Sequence, residues 1–266
     1  MMTANLINGR RLADEILEEL AKKKPPEKKL AAVLVGDNLA SLSFLRRKEE
    51  AARRVGIAFT LRSFSVAISE TELAKEVSRL GAEETIGGIV LQLPLPRHIR
   101  REKIIEMLSV EKDVDNLTGR ASVLQPSARA VEEIARAHNL DLGTLHAAVI
   151  GQGLLIGAPI TRFLTGRVRA LTAFDVSNQQ WDAVKTADLV VTGTGVPELL
   201  RGELIKERAA VVDFGYGRTA DGKLSGDVHM PSVASRAALV TPTPGGTGPL
   251  VIACLLRNFF ELNGVY

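Results

Sequence analysis

Residues 148–157 read AVIGQGLLIG, a short apolar run that leads into a turn with three glycines and then into a helical pattern. This is the strand–turn–helix order of a dinucleotide-binding site. Gly151 permits a tight turn, Gly153 leaves room for a pyrophosphate, and Gly157 lets the helix pack closely on the strand. The spacing is G-x-G-x-x-x-G, one residue longer than the usual fingerprint. The segment predicts a nucleotide-binding half-fold in this part of the chain.

Strands and helices alternate on both sides of this segment. The predicted strands lie near residues 30–35, 57–61, 88–93, 147–150, 169–174, 188–192 and 209–214, and the clearest helices near 40–55, 71–80 and 250–260. Alternation of this kind is typical of parallel sheets with helices on both faces. The fold class that we expect is therefore α/β, with two lobes of which the second is Rossmann-like.

The composition is that of an ordinary globular protein, with 266 residues of which 45% are hydrophobic and 24% charged. The net charge of +3 is slight, and no basic stripe is interleaved with aromatic side chains, which argues against nucleic-acid binding. Cys254 is the single cysteine, so no internal disulfide is possible, which fits a reducing cytoplasm. We expect no signal peptide, no membrane span and, from four scattered histidines, no metal site.

The predicted helix 40–55 has one charged residue on its inward face. The positions that share this face are Ser41, Phe44, Lys48, Ala51, Ala52 and Val55. Two interpretations are open for Lys48. Its stem can lie along apolar surface while the ammonium reaches water, or the group can be partly desolvated and exchange protons near neutrality.

Two further places could face a ligand. Gln92 lies at the end of the strand 88–93, and ligands of parallel α/β sheets bind beyond the carboxyl ends of strands. Asp113 and Asp115 lie in the loop KDVDN, residues 112–116, where the alternative explanation is ordinary turn chemistry.

Residues 241–249, TPTPGGTGP, form a loop with few side chains directly in front of an apolar helix. Glycine lets a ligand approach the main chain closely, and Pro249 suits the first turn of the helix that follows. Gly248 and Pro249 are therefore candidates for a wall that faces a ligand.

Taken in order, these segments resemble the methylenetetrahydrofolate dehydrogenase/methenyltetrahydrofolate cyclohydrolase family. The resemblance rests on VGDN at 35–38 with Ser41 and Lys48, GIVLQLPLP at 88–96, KDVD at 112–115, residues 151–159, VDFG at 212–215, GDV at 226–228 and TPTPGGTGP at 241–249. The strings QLPLP, KDVD and PGGTGP are specific in combination. The resemblance runs nearly from end to end of the chain.

The resemblance implies a two-lobed enzyme of one-carbon metabolism that binds tetrahydrofolate derivatives in a cleft and NADP or NAD on the second lobe. It implies a catalytic domain of residues 1–121 plus 247–266, a Rossmann-like domain of residues 122–246, and a cytoplasmic homodimer. It assigns catalysis to Lys48, Gln92 and Asp115 and substrate binding to Ser41, Phe44, Gly248 and Pro249. Cofactor binding falls to Gly151, Gln152, Gly153, Gly157, Asp175 and Tyr216.

Three positions depart from the family pattern. Phe44 replaces a tyrosine, which puts the efficiency of the cyclohydrolase step in doubt. Gln152 replaces an arginine that usually holds the 2′-phosphate of NADP, and Asp175 would bind a ribose 2′-OH and repel that phosphate. These two changes favour NAD, unless Arg167 or Arg169 substitutes for the missing arginine.

Three other functions stay open from the sequence. The chain could be a dehydrogenase with weak or no cyclohydrolase activity, because Phe44 lacks a hydroxyl group. It could be a folate- or dinucleotide-binding protein without turnover. A modified pterin could also replace tetrahydrofolate as the one-carbon carrier, since similar residues would bind either ring.

Overall fold

The computed structural model describes residues 4–178 and 180–266. Its strands are β1 Asn5–Leu6, β2 Lys29–Val35, β3 Phe59–Phe64, β4 Ile86–Leu91, β5 His146–Ile150, β6 Ala170–Phe174, β7 Leu189–Thr192, β8 Ala210–Asp213, β9 Gly217–Arg218, β10 Leu224–Ser225 and β11 Leu239–Val240. Its α-helices are α1 Gly9–Ala21, α2 Leu39–Arg54, α3 Glu70–Ala82, α4 Arg101–Glu106, α5 Pro126–Ala137, α6 Gly157–Leu164, α7 Trp181–Val184, α8 Met230–Ala234 and α9 Thr247–Leu262. Short 3-10 helices cover Val110–Lys112, Leu142–Thr144 and Gly202–Leu204.

Residues 4–13 and 127–251 pack into one compact unit, called here the Rossmann-like unit. Its sheet has the strand order β1-β11-β8-β7-β5-β6, and every neighbouring pair is parallel. The chain passes from β5 to β6 on one side and then crosses to β7 on the other. Ligands of open α/β sheets bind at such a reversal, beyond the carboxyl ends of the strands. The place to look for a ligand is thus the end of β5 and β7.

Residues 14–126 and 252–266 form the second compact unit, called here the three-stranded unit. Its parallel sheet has the order β3-β2-β4, with β2 in the centre and buried from Leu30 to Val35. Helix α9 packs closely on β4, because a Cβ added to Gly88 would lie 2.7 Å from side-chain carbons of both Phe259 and Val114. Glycine at position 88 therefore lets helix and loop approach the strand.

The contacts divide the chain at different places from the predicted boundaries at 121/122 and 246/247. Residues 4–13 pack with the Rossmann-like unit because β1 pairs in parallel with β11, Asn5 opposite Leu239. The first turn of α9 also packs with that unit, where the hydroxyl of Thr247 donates to the carbonyl oxygen of Asp213 at 2.8 Å. Both contacts join residues far apart in sequence, which local patterns do not reveal.

The predicted alternation of strands and helices is confirmed, with shifts of about one to three residues at the ends of elements. Strand β4 ends at Leu91 rather than at residue 93, so Gln92 directly follows the strand. Strand β3 begins at Phe59 rather than at residue 57. Gln92 therefore lies just beyond the carboxyl end of a buried parallel strand.

Within the described ranges, no helix is both long and apolar enough to cross a membrane. The same residues contain no group of three or more His, Cys, Asp or Glu side chains placed to hold a metal ion. Cys254, the single cysteine, is buried in α9.

Candidate functional site

The glycine loop after β5 is shaped by its own backbone. Gly151 has φ +87°, and a Cβ there would lie 2.8 Å from the carbonyl oxygen of Gly193. A Cβ on Gly157 would lie 1.6 Å from the carbonyl oxygen of Gly151. These contacts are with main-chain atoms, which cannot move aside as a flexible side chain can. The fold itself therefore requires glycine at 151 and 157.

Gly153 differs from its two neighbours, because a Cβ there would have no atom within 4 Å. The space beside this residue is open, and α6 begins four residues later at Gly157. Backbone N–H groups at the start of a helix attract phosphate groups. The loop thus fits a dinucleotide: two glycines close the turn, and the third leaves the main chain accessible.

The side chain of Gln152 forms hydrogen bonds within the glycine loop and with the helix that follows it. Its amide oxygen accepts from the hydroxyl of Thr161 at 3.0 Å, and its amide nitrogen donates to the carbonyl oxygen of Gly151 at 3.0 Å. The side chain carries no charge and already has partners at both ends. Position 152 therefore supplies no cation for a phosphate group.

Asp175 lies at the predicted acidic position of a Rossmann site. Ile150 of β5 is paired with Phe174 of β6, so Gly151 and Asp175 are the next residues on neighbouring strands. The aspartate is exposed, and its carboxylate accepts from the backbone N–H of Val176 at 3.0 Å. A carboxylate at this place can accept from a ribose hydroxyl.

The structure places Arg167 and Arg169 at the opposite end of β6. Arg167 donates to the carbonyl oxygen of Phe163 at 2.7 Å, and Arg169 donates to the carbonyl oxygen of Thr144 at 3.0 Å. The five residues of β6 lie between Arg169 and Asp175, which puts their Cα atoms about 20 Å apart at the usual rise of a strand. Both guanidinium groups donate to carbonyl oxygens near the start of β6, which gives no support to their replacing the charge that Gln152 lacks.

The other candidates of the Rossmann-like unit also follow its strands. Tyr216 is exposed and comes three residues after the end of β8. Gly248 and Pro249 lie in the first turn of α9, and a Cβ on Gly248 would have no atom within 4 Å. Tyr216 and Gly248 therefore leave surface open, while Pro249 is half-buried.

In the three-stranded unit, α2 carries Ser41, Phe44 and Lys48. The side chain of Asn38 caps this helix by accepting from the backbone N–H of Ser41 at 3.1 Å. Ser41 is buried, while Phe44 and Lys48 are half-buried and lie one helical turn apart. The guanidinium of Arg47 lies 6.0 Å from the centre of the Phe44 ring.

Lys48 and Asp115 are close enough for their charges to interact. Burial raises the pKa of the half-buried Asp115 carboxyl above its usual range, and the positive charge of Lys48 opposes that shift. The negative charge of Asp113 adds to it. The charge of Lys48 thus acts on the Asp115 carboxyl, and no ion pair joins the two side chains in the described residues.

Gln92 presents an unused hydrogen-bond acceptor. Its amide nitrogen donates to the carbonyl oxygen of Leu93 at 2.7 Å, while its amide oxygen is buried and has no partner among the described residues. Leaving a buried acceptor without a donor costs about 1–3 kcal/mol. A bound ligand with an N–H or O–H group would remove this cost.

The loop that carries Asp115 is held by buried polar groups. Asp113 is fully buried and accepts from the backbone N–H groups of residues 117 and 118 at 3.0 and 2.8 Å. Asn258 of α9 donates to the carbonyl oxygens of Val114 at 2.8 Å and Leu124 at 2.7 Å. Asp113 therefore shapes the loop, and Asn258 fixes it from both sides of Asp115.

Two family models match the sequence. The model described as "Tetrahydrofolate dehydrogenase/cyclohydrolase, catalytic domain" matches residues 7–115, and the model of the NAD(P)-binding domain matches residues 125–264. The chain belongs to the tetrahydrofolate dehydrogenase/cyclohydrolase family. The family predicted from the sequence is confirmed, and so is its NAD(P)-binding domain.

Relatives of this family match over nearly the whole chain. The bifunctional protein FolD of Bacillus cereus (strain AH187) is 35% identical over 276 residues, which cover 98% of this chain and 96% of that protein. The crystal structure of the bifunctional enzyme FolD from Campylobacter jejuni is 31% identical, covers 98% of both chains and has a TM-score of 0.91. The FolD structure from Trypanosoma brucei, complexed with NADP cofactor and inhibitor, is 31% identical, covers 99% of this chain and 98% of that chain, and has a TM-score of 0.92.

Membership of the family does not identify the site residues of this chain, so their roles remain predictions. Sequence reasoning missed two features of the site. Asn258 could have been found as a polar residue inside an otherwise apolar helix. Asp213 and Asp227 are both buried. They lie in VDFG and GDV, which enter the sequence analysis as family motifs only, and nothing in the local pattern distinguishes either aspartate from a turn residue.

Proposed function

We propose that the chain oxidises 5,10-methylenetetrahydrofolate to 5,10-methenyltetrahydrofolate with NAD or NADP and hydrolyses the product to 10-formyltetrahydrofolate. The observation that carries this function is the placement of Lys48 within reach of the Asp115 charge in the three-stranded unit. The unpaired amide oxygen of Gln92 and the open glycine loop at Gly153 support it.

The proposed folate site lies on the three-stranded unit and the dinucleotide site on the Rossmann-like unit. Asp115 would accept the paired N–H donors of the pterin ring, because a carboxylate has two acceptor oxygens side by side. The Gln92 oxygen would accept a further donor of the ligand. On the three-stranded unit, Ser41 and Phe44 would border the substrate; a substrate-binding role is also proposed for Gly248 and Pro249, which belong to the Rossmann-like unit. Gly151, Gly153, Gly157, Gln152, Asp175 and Tyr216 would border the cofactor.

When bound, the nicotinamide ring accepts a hydride from the bridging carbon of the folate. The chain's own part in that reaction is to orient the two reactants and to exclude water. In the hydrolysis, water adds to the methenyl carbon, and the neutral amine of Lys48 takes one of its protons. As the bond from this carbon to N5 breaks, the remaining hydroxyl proton leaves to water, N5 takes the proton that Lys48 holds, and the formyl group stays on N10.

The spectrophotometric assay of both steps tests this proposal. Purified protein with 5,10-methylenetetrahydrofolate and either NAD or NADP should give the absorbance of reduced nicotinamide, followed by decay of the methenyl absorbance. Reduced nicotinamide without decay of the methenyl signal would leave only the dehydrogenase. No reduction with either cofactor would remove the proposed reaction in favour of a modified pterin or of binding without turnover.

We further propose that NAD is the preferred cofactor. Asp175→Ser should lower the preference for NAD over NADP by about 10–100-fold, because it removes a charge-assisted hydrogen bond and the repulsion of a 2′-phosphate. The measurement is kcat/KM with each cofactor. Asp182→Ser is the matched control, since Asp182 is a fully exposed acid of the same unit. An unchanged ratio in Asp175→Ser would contradict the assignment.

Phe44 favours a second candidate, a dehydrogenase with weak cyclohydrolase activity. Phe44→Tyr would place a hydroxyl one helical turn from Lys48, where it could hold the amine or the attacking water. We expect methenyl hydrolysis to rise by about ten-fold, the worth of one good hydrogen bond, while hydride transfer stays within about two-fold. Phe163→Tyr, on α6 of the other unit, controls for an added hydroxyl. A Phe44→Tyr enzyme no faster than wild type would show that the missing hydroxyl does not limit hydrolysis.

The remaining expectations concern assembly and location. A homodimer and residence in the cytoplasm, both implied by the resemblance, are proposed for this chain. Light scattering of the purified protein tests the dimer, since a mass of one chain, 28.6 kDa, would exclude it.

A further inference from the structure

Two buried aspartates, Asp213 and Asp227, lie next to each other at the carboxyl end of β8. Asp213 is the last residue of the strand, and the two side chains are 1% and 0% exposed. A Cβ on Gly226 would lie 1.9 Å from Oδ2 of Asp213, and a Cβ on Gly215 would lie 2.2 Å from Oδ1 of Asp227. Each carboxyl group is therefore packed against the glycine that the neighbouring segment supplies.

Asp213 joins the end of β8 to residues 226–228. Its Oδ1 accepts from the backbone N–H groups of Gly215 at 2.7 Å and Asp227 at 3.2 Å, and its Oδ2 accepts from that of Val228 at 3.1 Å. Its main-chain carbonyl also accepts from Thr247 at the start of α9. One residue thus connects three segments at the carboxyl edge of the sheet.

Asp227 joins the same place to the loop after β7. Its Oδ2 accepts from the hydroxyl of Thr192 at 2.7 Å and from the backbone N–H of Thr194 at 2.6 Å. Its Oδ1 is buried and has no partner among the described residues. The loop that Asp227 holds contains Gly193, whose carbonyl oxygen faces Gly151 of the glycine loop.

No positive charge neutralises this pair in the described part of the chain. The groups that bond to it from β7 and its loop, from residues 226–228 and from residues 241–247 are uncharged. The titratable group that faces each aspartate is the other one. Burial, followed by the charge of Asp227, raises the pKa of Asp213 to about 7, although three backbone N–H groups oppose this shift.

We propose that Asp213 and Asp227 are positioning residues of the dinucleotide site: their buried side chains hold the loops after β7 and β8 together while Asp213 is neutral, and these segments move apart when both aspartates are charged. The inference rests on the proposed function, namely that a dinucleotide binds at the glycine loop. Loss of the proton leaves two like charges in a buried space, which favours separation of the two segments. The Gly193 backbone would then shift against Gly151, and NAD would bind less tightly.

Asp227→Asn removes the negative charge that lies beside Asp213 and keeps the shape of the side chain. The amide oxygen can replace Oδ2, which keeps the bonds from Thr192 and Thr194. The NH₂ group then occupies the place of Oδ1, the atom without a partner, and the negative charge beside Asp213 is gone. Asp227→Ala removes these bonds and should weaken NAD binding at every pH. Asp221→Asn is the matched control, because it removes an exposed acid from the same stretch between β8 and α8.

The experiment measures Kd for NAD by calorimetry between about pH 6 and pH 8.5. NADP is avoided because its 2′-phosphate itself titrates near pH 6. The wild type and Asp221→Asn should lose about ten-fold in affinity as pH rises, the effect of a coupling worth 1.4 kcal/mol. Asp227→Asn should keep the tight Kd throughout. A wild-type Kd that does not change with pH, or an Asp227→Asn profile like that of the wild type, would overturn the proposal.

Denaturant unfolding in the absence of NAD tests the proton on Asp213 independently of whether a dinucleotide binds at the glycine loop. Because the folded pKa of Asp213 lies above its value in the unfolded chain, the folded state binds more protons between about pH 4 and pH 7. The free energy of unfolding should therefore fall as pH rises through this window. Asp227→Asn should move the midpoint of that fall down by about one pH unit or more. If NAD binds at no pH, the dinucleotide site is wrong, and the unfolding data alone decide whether the pair holds a proton.

Discussion

Replacement of Lys48 by methionine is expected to slow hydrolysis of 5,10-methenyltetrahydrofolate by about 10²–10⁴-fold, whereas hydride transfer should lose less than about ten-fold. Methionine keeps the length and the apolar stem of the side chain but has no group that can take a proton. Hydride transfer needs no protein base, so it should depend mainly on how well the folate is oriented. The two rates are followed separately, by decay of methenyl absorbance and by formation of reduced nicotinamide.

Lys48→Arg separates the charge of Lys48 from its proton transfer. Arginine keeps a positive charge near Asp115 but stays protonated in proteins. We expect Lys48→Arg to bind the folate substrate almost as well as the wild type does. It should hydrolyse 5,10-methenyltetrahydrofolate as slowly as Lys48→Met. Arg53→Met, an exposed position on the same helix, should change neither rate. Wild-type hydrolysis by Lys48→Arg would exclude proton transfer as the role of Lys48.

The loss of charge in Lys48→Met should also appear in the pH dependence of KM for the folate. Lys48 is the group that lowers the pKa of Asp115 against burial, so its removal raises that pKa further. A protonated Asp115 accepts fewer bonds from the pterin. The rise of KM with falling pH should therefore begin at a higher pH in Lys48→Met than in Lys48→Arg.

Gly157→Ala is expected to destabilise the protein by about 3 kcal/mol, at the upper end of what an overpacked site costs. The new methyl carbon would lie 1.6 Å from the carbonyl oxygen of Gly151, so either the loop or the start of α6 must move. Both movements break the turn that leads from β5 into the helix. The measurement is the free energy of unfolding in denaturant, together with NAD affinity.

Gly153→Ala is the matched change in the same loop. Its methyl group meets no atom within 4 Å, so the free energy of unfolding should stay within about 0.5 kcal/mol of the wild type. The methyl group would nevertheless stand where the main chain is open to a ligand, and NAD should bind less well. Equal stability of Gly157→Ala and Gly153→Ala would show that the loop relaxes freely.

The features that the sequence predicted are those that depend on residues close together in the chain. Residues 148–157 contain the strand, the glycines and the helix start of the nucleotide loop in order. The inward face of α2 predicted Lys48 as the charged residue among apolar neighbours, and the structure places its charge within reach of Asp115. Local spacing is sufficient for the glycine loop and for the face of α2, whereas the approach of Lys48 to Asp115, a residue in a distant loop, is not encoded in either segment alone.

The features that escaped prediction depend on distant partners. The side chain of Asn258 donates a hydrogen bond to the carbonyl oxygen of Val114, which is 144 residues away. The sequence near either residue therefore does not predict the contact. Arg167 and Arg169 looked available for a phosphate because they are near Asp175 in sequence, yet a whole strand separates them from it. The shared environment of Asp213 and Asp227 likewise exists only after β7, β8 and the segment 226–228 have come together.

Each compact unit is assembled from two separated stretches of the chain, and this affects how the protein folds during its synthesis. The edge strand β1 precedes its partner β11 by more than two hundred residues and can pair with it only after these have left the ribosome. The three-stranded unit likewise waits for residues 252–262 of α9 to cover Gly88. Domain-by-domain folding from the N-terminus is thus not open to this chain, and long-range pairing of this kind is slow and prone to aggregation. Recovery of active enzyme should depend on how well nascent chains are protected until β11 and α9 have been made.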